Sequence, residues 1–266
     1  MASSLFPKVT GKVRRGTQLS LVDFEIQTQK PSMAACHIRQ YQESDRQGVL
    51  HLLSQGISEH FPTAFRHVLK LPRTLVLLLL GPLTCFVASG SWLLALVASL
   101  TLLAALGFLA KYPWTEFEVL CLRTDMADIT RSYFSDCGSC YWVVESGGQV
   151  VGMVGALPMT KPSLQKEQLQ LLHLNVAREH RGQGIASALV RTVLRFAQEQ
   201  GYSEVVLSTS ALQLSALALY RSLGFQKVGR YFFSSSWRLI DVPAFQFRYC
   251  LSSAQGPQAQ KQGGFL

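Results

Sequence analysis

Apolar and polar positions change their spacing several times along the chain, and each change predicts an element. Residues 37–41 can form a short strand, and Ser44 is placed to cap an amphipathic helix carrying Val49, Leu50, Leu52 and Leu53. From Thr74 to Ala110 no side chain is charged, a run of 37 residues, where about 20 suffice to cross a bilayer. As one straight helix the run would measure about 55 Å, against a hydrocarbon core of roughly 30 Å. It therefore tilts or breaks. Gly81-Pro82 and Ser89-Gly90-Ser91 offer the breaks, so two short helices in a hairpin are expected.

Behind Lys111 and Trp114 the pattern becomes that of a water-facing domain. Strands are expected at residues 141–145 and 150–157, joined by Ser146-Gly147-Gly148, and at 169–176 and 205–209. Periodic helices are expected at about 184–199 and 212–223, and Gly224-Phe225 opens further strands around 231–233 and 245–251. Alternating strands and helices imply an α/β or α+β fold, a mixed central sheet flanked by helices, with the apolar segment inserted. The domain plan is a disordered basic extension at 1–32, a first catalytic part at 33–73 and membrane segments at 74–110. The main domain follows at 111–251, and then a disordered tail at 252–266. The extension lacks the apolar core of a secretory signal, and Met33 offers an alternative start.

Composition supports a lipid-facing part: 48% of residues are hydrophobic, 15% are charged and mean hydropathy is +0.19. The net charge of +9 is spread along the chain without a nucleic-acid module, which argues against nucleic acid and suits a membrane surface or an anionic cofactor. Basic residues at Arg66, Lys70, Arg73 and Lys111 flank the apolar run, which places both its ends on the cytosolic side. Cys137 and Cys140 form a lone C-x-x-C with no second ligand pair, so no metal site is expected and the six cysteines read as reduced thiols.

The chemistry concentrates in Leu172-His173-Leu174-Asn175-Val176-Ala177-Arg178-Glu179-His180-Arg181-Gly182-Gln183-Gly184-Ile185-Ala186-Ser187, a strand, a glycine-rich turn and a helix start. Gly182 and Gly184 let backbone approach a ligand, and unpaired N–H groups of the first helical turn suit a phosphate. The P-loop and dinucleotide fingerprints are absent. Arg181-x-x-Gly184-x-Ala186 resembles the pyrophosphate loop of the GNAT acetyltransferases. So does the later helix Ala216-Leu217-Ala218-Leu219-Tyr220-Arg221-Ser222-Leu223-Gly224-Phe225. Gln213 stands where many members carry Asn. Residues 33–251 also resemble the camello-like proteins of N-acetyltransferase family 8, relatives of the cysteine S-conjugate N-acetyltransferase. The shared landmarks include Leu71-Pro72-Arg73-Thr74 and Gly152-Met153-Val154-Gly155-Ala156-Leu157-Pro158.

The resemblance implies acetyl-CoA as co-substrate, lying along Asn175, Val176 and Ala177, with its pyrophosphate on Arg181, Gly182, Gln183, Gly184, Ile185, Ala186 and Ser187, and a further contact at Gln213. An acceptor amine then attacks the thioester directly. His173 is the first candidate to take its proton and Glu179 the alternative, although a lone histidine in a strand is more often a core residue and Glu179 can be a solvated charge. Tyr220 is the expected donor to the departing thiolate. The resemblance further implies an endoplasmic reticulum or Golgi membrane enzyme acting on the α-amine of cysteine S-conjugates. Lysines of secretory-pathway proteins are one alternative acceptor. The other alternative is a catalytically weak membrane protein influencing cell adhesion and gastrulation movements. Homo- or heterodimers with relatives stay open.

Overall fold

A computed structural model of the chain describes residues 37–135, 138–159 and 167–251. The expectations for the basic extension and the tail, and Cys137 of the C-x-x-C pair, lie outside the described residues. The described residues all fall within one compact unit, Ala34–Leu266.

β1 (His37–Gln40) passes through a 3-10 turn (Glu43–Asp45) into α1 (Arg46–Ser58). The N-cap is Asp45 rather than Ser44. The reason lies in the turn: Gln42 and Asp45 bond reciprocally across it, enclosing Ser44, and the Asp45 carboxylate also holds Arg39 at 2.6 Å. α2 (Phe61–Leu69), which no pattern flagged, continues the same layer.

The uncharged run forms two helices, α3 (Pro72–Ser89) and α4 (Trp92–Arg123). The break is at Gly90, whose φ of 64° is left-handed and whose N–H closes on Phe86 O at 2.8 Å. α3 runs unbroken through Gly81 and Pro82. A mid-helix proline removes one donor, whereas a left-handed residue ends the ladder. Gly81 faces Leu102, so the pair is an antiparallel hairpin. α4 is not short: it spans 32 residues, continuing past Lys111 to Arg123, about 48 Å at 1.5 Å per residue. A single lysine after an apolar run changes the helix's surroundings without ending it. Leu79, Val87, Trp92 and Phe108 are each more than 70% exposed on this hairpin. Among the described residues, α3 and α4 are the two helices long and apolar enough to cross a membrane.

α5 (Ile129–Phe134) leads to β2 (Cys140–Ser146) and β3 (Gln149–Pro158), joined by Gly147 and Gly148. Both glycines have positive φ, 58° and 77°, as a two-residue hairpin turn requires. Then come β4 (Gln168–Val176), α6 (Ile185–Glu199), β5 (Glu204–Ser210), α7 (Leu214–Ser222), β6 (Gln226–Tyr231), α8 (Ser235–Leu239) and β7 (Ala244–Cys250). The last strands differ from the sequence pattern: β6 ends at Tyr231, and the aromatic run behind it turns away into α8.

The seven strands form one sheet in the order β1-β2-β3-β4-β5-β7-β6, antiparallel except for β4 beside β5. Val49, Leu52, Trp114, Tyr133 and Met153 pack on one face beneath α1, α2, α4 and α5. Val144, Leu189, Val193, Leu207, Tyr220 and Phe247 pack on the other beneath α6 and α7. The expected mixed sheet flanked by helices is therefore present. Two departures from regularity shape the site. β4 pairs with β5 only over Gln168, Leu169 and Gln170, after which the strands diverge. β4 also carries one extra residue opposite Met153 and Gly155, a bulge that puts His173 at φ 54°.

Candidate active site

Where β4 and β5 part, the chain leaves two adjoining cavities. One, of about 250 Å³, lies against α1, α4, β4, α7 and α8 and is lined by Leu53, Trp114, Phe117, Met153, His173, Tyr220, Tyr231, Phe233 and Trp237 among others. The other, of about 360 Å³, is lined by Glu59, Val176, His180, Arg181, Gly182, Gly184, Ile185, Ala186 and Ser187. Gly56, His60, Leu174, Asn175, Gln213 and Ala216 line both, so the two lobes meet at these residues.

The second lobe presents the groups that suit an anion. A 3-10 turn (Arg178–His180) follows β4, and Gly182 and Gly184 take φ of 78° and 83° to bring the chain into α6. The first helical bond is Ala188 N–H to Gly184 O at 3.0 Å, so the preceding N–H groups of α6 face the lobe without helical acceptors. Arg181 braces the loop: its Nε donates to Val176 O at 2.8 Å and its guanidinium pairs with Glu59 at 2.7 Å. Gln183 and Ala177 line neither lobe.

Asn175 and Gln213 stand at the junction with their amides engaged by protein. Asn175 Nδ2 donates to Leu52 O at 2.7 Å and its Oδ1 accepts Val176 N–H at 2.9 Å, fastening α1 to β4. Gln213 Oε1 accepts from Thr209 Oγ1 at 2.7 Å and Ser210 N–H at 3.1 Å, which leaves its Nε2 to donate to His60 Nε2 at 3.0 Å. An amide nitrogen only donates, so His60 is neutral with its proton on Nδ1. Burial lowers its pKa, in keeping with that form. The ring stacks on Trp114 at 4.7 Å.

Tyr220 lies in the first lobe with its ring edge-on to Phe225 at 5.7 Å. Burial pushes its phenol up, so it stays protonated, with a proton that no described residue takes up. His173 lines the same lobe, and its Nε2 lies 2.6 Å from Asp125 Oδ2. Tyr133 donates to that carboxylate too, and Thr124 Oγ1 reaches Oδ1 at 3.1 Å. Burial alone would raise the Asp125 carboxyl, but His173 and the two hydroxyls outweigh it and hold the carboxyl at about 2. Glu179 is exposed on the 3-10 turn and lines neither lobe.

The structure thus brings His173 and Tyr220 into one lobe and the glycine loop into the other. His60, Trp114, Asp125 and Trp237 escaped sequence reasoning: they come from separate segments, and no local pattern marks them. No group of three or more His, Cys, Asp or Glu among the described residues could hold a metal ion.

The profile of the Acetyltransferase (GNAT) family matches residues 107–225. Human N-acetyltransferase 8B is 62% identical over 223 residues, covering 84% of this chain and 98% of that relative. Mouse N-acetyltransferase family 8 member 3 is 58% identical over 224 residues, with 84% and 99% covered. The chain belongs to the N-acetyltransferase 8 family. A solved GNAT-family acetyltransferase from Staphylococcus aureus Mu50 is 16% identical, with a TM-score of 0.47, over 80% of this chain and 98% of that one. As a member of the N-acetyltransferase 8 family the protein is an acetyl-CoA-dependent N-acetyltransferase. The second lobe, with its free α6 N–H groups, has the chemistry to take that co-substrate's phosphates.

Proposed function

We propose that this N-acetyltransferase acts on the α-amino group of cysteine S-conjugates while held in the endoplasmic reticulum or Golgi membrane by α3 and the first half of α4, its catalytic domain facing the cytosol. The observation that carries the acceptor is the first lobe: among the described residues that line it there is no Lys, Arg, Asp or Glu, and Trp114, Phe117, Phe233 and Trp237 form an aromatic wall. Such a wall suits an apolar thioether substituent. The uncovered apolar side chains of the hairpin, flanked by Arg66, Lys70, Arg73 and Lys111, support the membrane placement.

In this reading the second lobe holds the diphosphate of acetyl-CoA on the α6 N–H groups, and pantetheine runs along the free edge of β4. The amine's lone pair attacks the thioester carbonyl; the C–N bond forms as the C–S bond breaks. His173 takes the nitrogen's proton and Tyr220 donates to the departing sulfur. Holding both substrates across the junction supplies proximity.

The test is acetyl transfer from labelled acetyl-CoA, by membranes carrying the full chain, to S-benzyl-cysteine and to lysine peptides. Transfer to the conjugate is expected. Transfer to peptides alone makes the acceptor protein lysine, and silence toward every amine overturns the enzymatic reading of this site. Protease protection of tagged termini in microsomes checks the topology; termini sheltered in the lumen overturn the cytosolic placement.

A further inference from the structure

His173 lies on the β4 bulge, where its left-handed φ of 54° would be unfavourable without something to hold it. What holds the ring is a network from other elements, fully buried at Tyr133. Asp125 sits in the linker between α4 and α5 and places Oδ2 2.6 Å from His173 Nε2. Tyr133 of α5 donates to the same oxygen and Thr124 to the other. Tyr133 has room to stand there because β3 presents Gly155, at which a Cβ would come within 2.7 Å of the Tyr133 ring. Tyr141 and Cys121 are the other titratable groups whose fields reach Asp125. Neither brings a positive charge.

An ionised carboxylate only accepts hydrogen bonds, so the atom it faces on a neutral imidazole must carry the proton. His173 then has its proton on Nε2 and a bare lone pair on Nδ1, which no other described residue engages. We propose that Asp125 is a positioning residue of the acetyl transfer, fixing the His173 tautomer so that Nδ1 is the atom that accepts the acceptor's proton. Tyr133 and Thr124 hold the carboxylate in turn. The inference rests on the reading of His173 as the proton acceptor, and the experiment separates the two.

Steady-state kinetics with acetyl-CoA and S-benzyl-cysteine are compared for the wild type, Asp125→Asn, Asp125→Glu, His173→Gln and the Asp125→Asn/His173→Gln double variant, with acetyl-CoA affinity measured on each by calorimetry. An amide removes the anion and leaves the ring free to carry its proton on Nδ1, so kcat of Asp125→Asn should fall about 100-fold with acetyl-CoA affinity unchanged. Asp125→Glu should recover most of that loss. The double variant should be no slower than His173→Gln, because both changes disable one unit. A fall of less than threefold in Asp125→Asn, beside a large fall in His173→Gln, overturns the positioning role while the base assignment stands. Near wild-type turnover in His173→Gln overturns both. If Asp125→Asn no longer binds acetyl-CoA, Asp125→Glu decides: turnover within tenfold of wild type supports the role, and a loss equal to that of His173→Gln refutes it.

Discussion

Two side chains carry most of what can be tested at the residue scale. Tyr220 is protonated because burial disfavours phenolate, and it has no hydrogen-bond partner among the described residues to compete with a substrate sulfur. Tyr220→Phe should therefore cut kcat by roughly 10- to 100-fold and leave acetyl-CoA affinity unchanged in calorimetry. Unchanged kcat would mean that the ring packs and the hydroxyl does nothing. Asp125 makes a statement about acid stability. Its carboxyl sits at about 2 when folded, below the usual value near 4, so the folded protein favours the anion. That stabilisation is complete above about pH 4 and is lost as pH falls from 4 to 2; its size is about 2 kcal/mol. Urea unfolding at pH 6 and pH 3 should show the wild type losing about half of that increment, because pH 3 lies midway in the window, and Asp125→Asn losing little. Neither residue's partners could be read from the sequence: Asp125 lies 48 positions from His173, and only folding makes them neighbours.

Elements differ in how much of them local sequence dictates. The turn from β4 into α6 was legible because its glycines, arginine and helix start are consecutive, and the fold uses Gly182 and Gly184 at positive φ. A side chain at Gly184 is strained at φ 83°, where the loop enters α6. Gly184→Val should weaken acetyl-CoA binding at least tenfold for about 1 kcal/mol of stability, as calorimetry and thermal melts would show. The bulge in β4 was not legible, since an extra residue in one strand depends on its partner. Nor was the approach of α1 to β4 at Gly56, where a Cβ would meet Asn175 Nδ2 at 1.9 Å. Gly56→Ala must displace the Asn175 amide and break its bond to Leu52 O, and a loss of about 2 kcal/mol is expected in denaturant unfolding, together with weaker acetyl-CoA binding because both lobes share that wall. Of the two breaks the apolar run offered, the one at Ser89-Gly90-Ser91 ends α3, and Pro82 stays inside it.

Across the whole molecule, a sheet flanked by helices followed from alternating strands and periodic helices, while the strand order, with β7 between β5 and β6, did not, and the site's aromatic wall drew on α4 and α8, whose contributions no period announces. α4 joins two environments. Its apolar stretch exposes Trp92, Leu100 and Phe108, and four positions after Ala110 the same helix places Trp114 in the first lobe, stacked on His60. A rod about 48 Å long standing upright in a hydrocarbon slab of roughly 30 Å keeps part of itself outside, and in α4 the stretch beyond the apolar run is the one that lines the first lobe. In the proposed membrane placement the enzyme would then gauge the thickness of its lipid. Slabs thinner or thicker than the helix prefers change its tilt, and the tryptophan at its inner end moves with it. Reconstituted in phosphatidylcholines of increasing acyl length, the protein should show a maximum in acceptor kcat/KM at one length and a flat KM for acetyl-CoA.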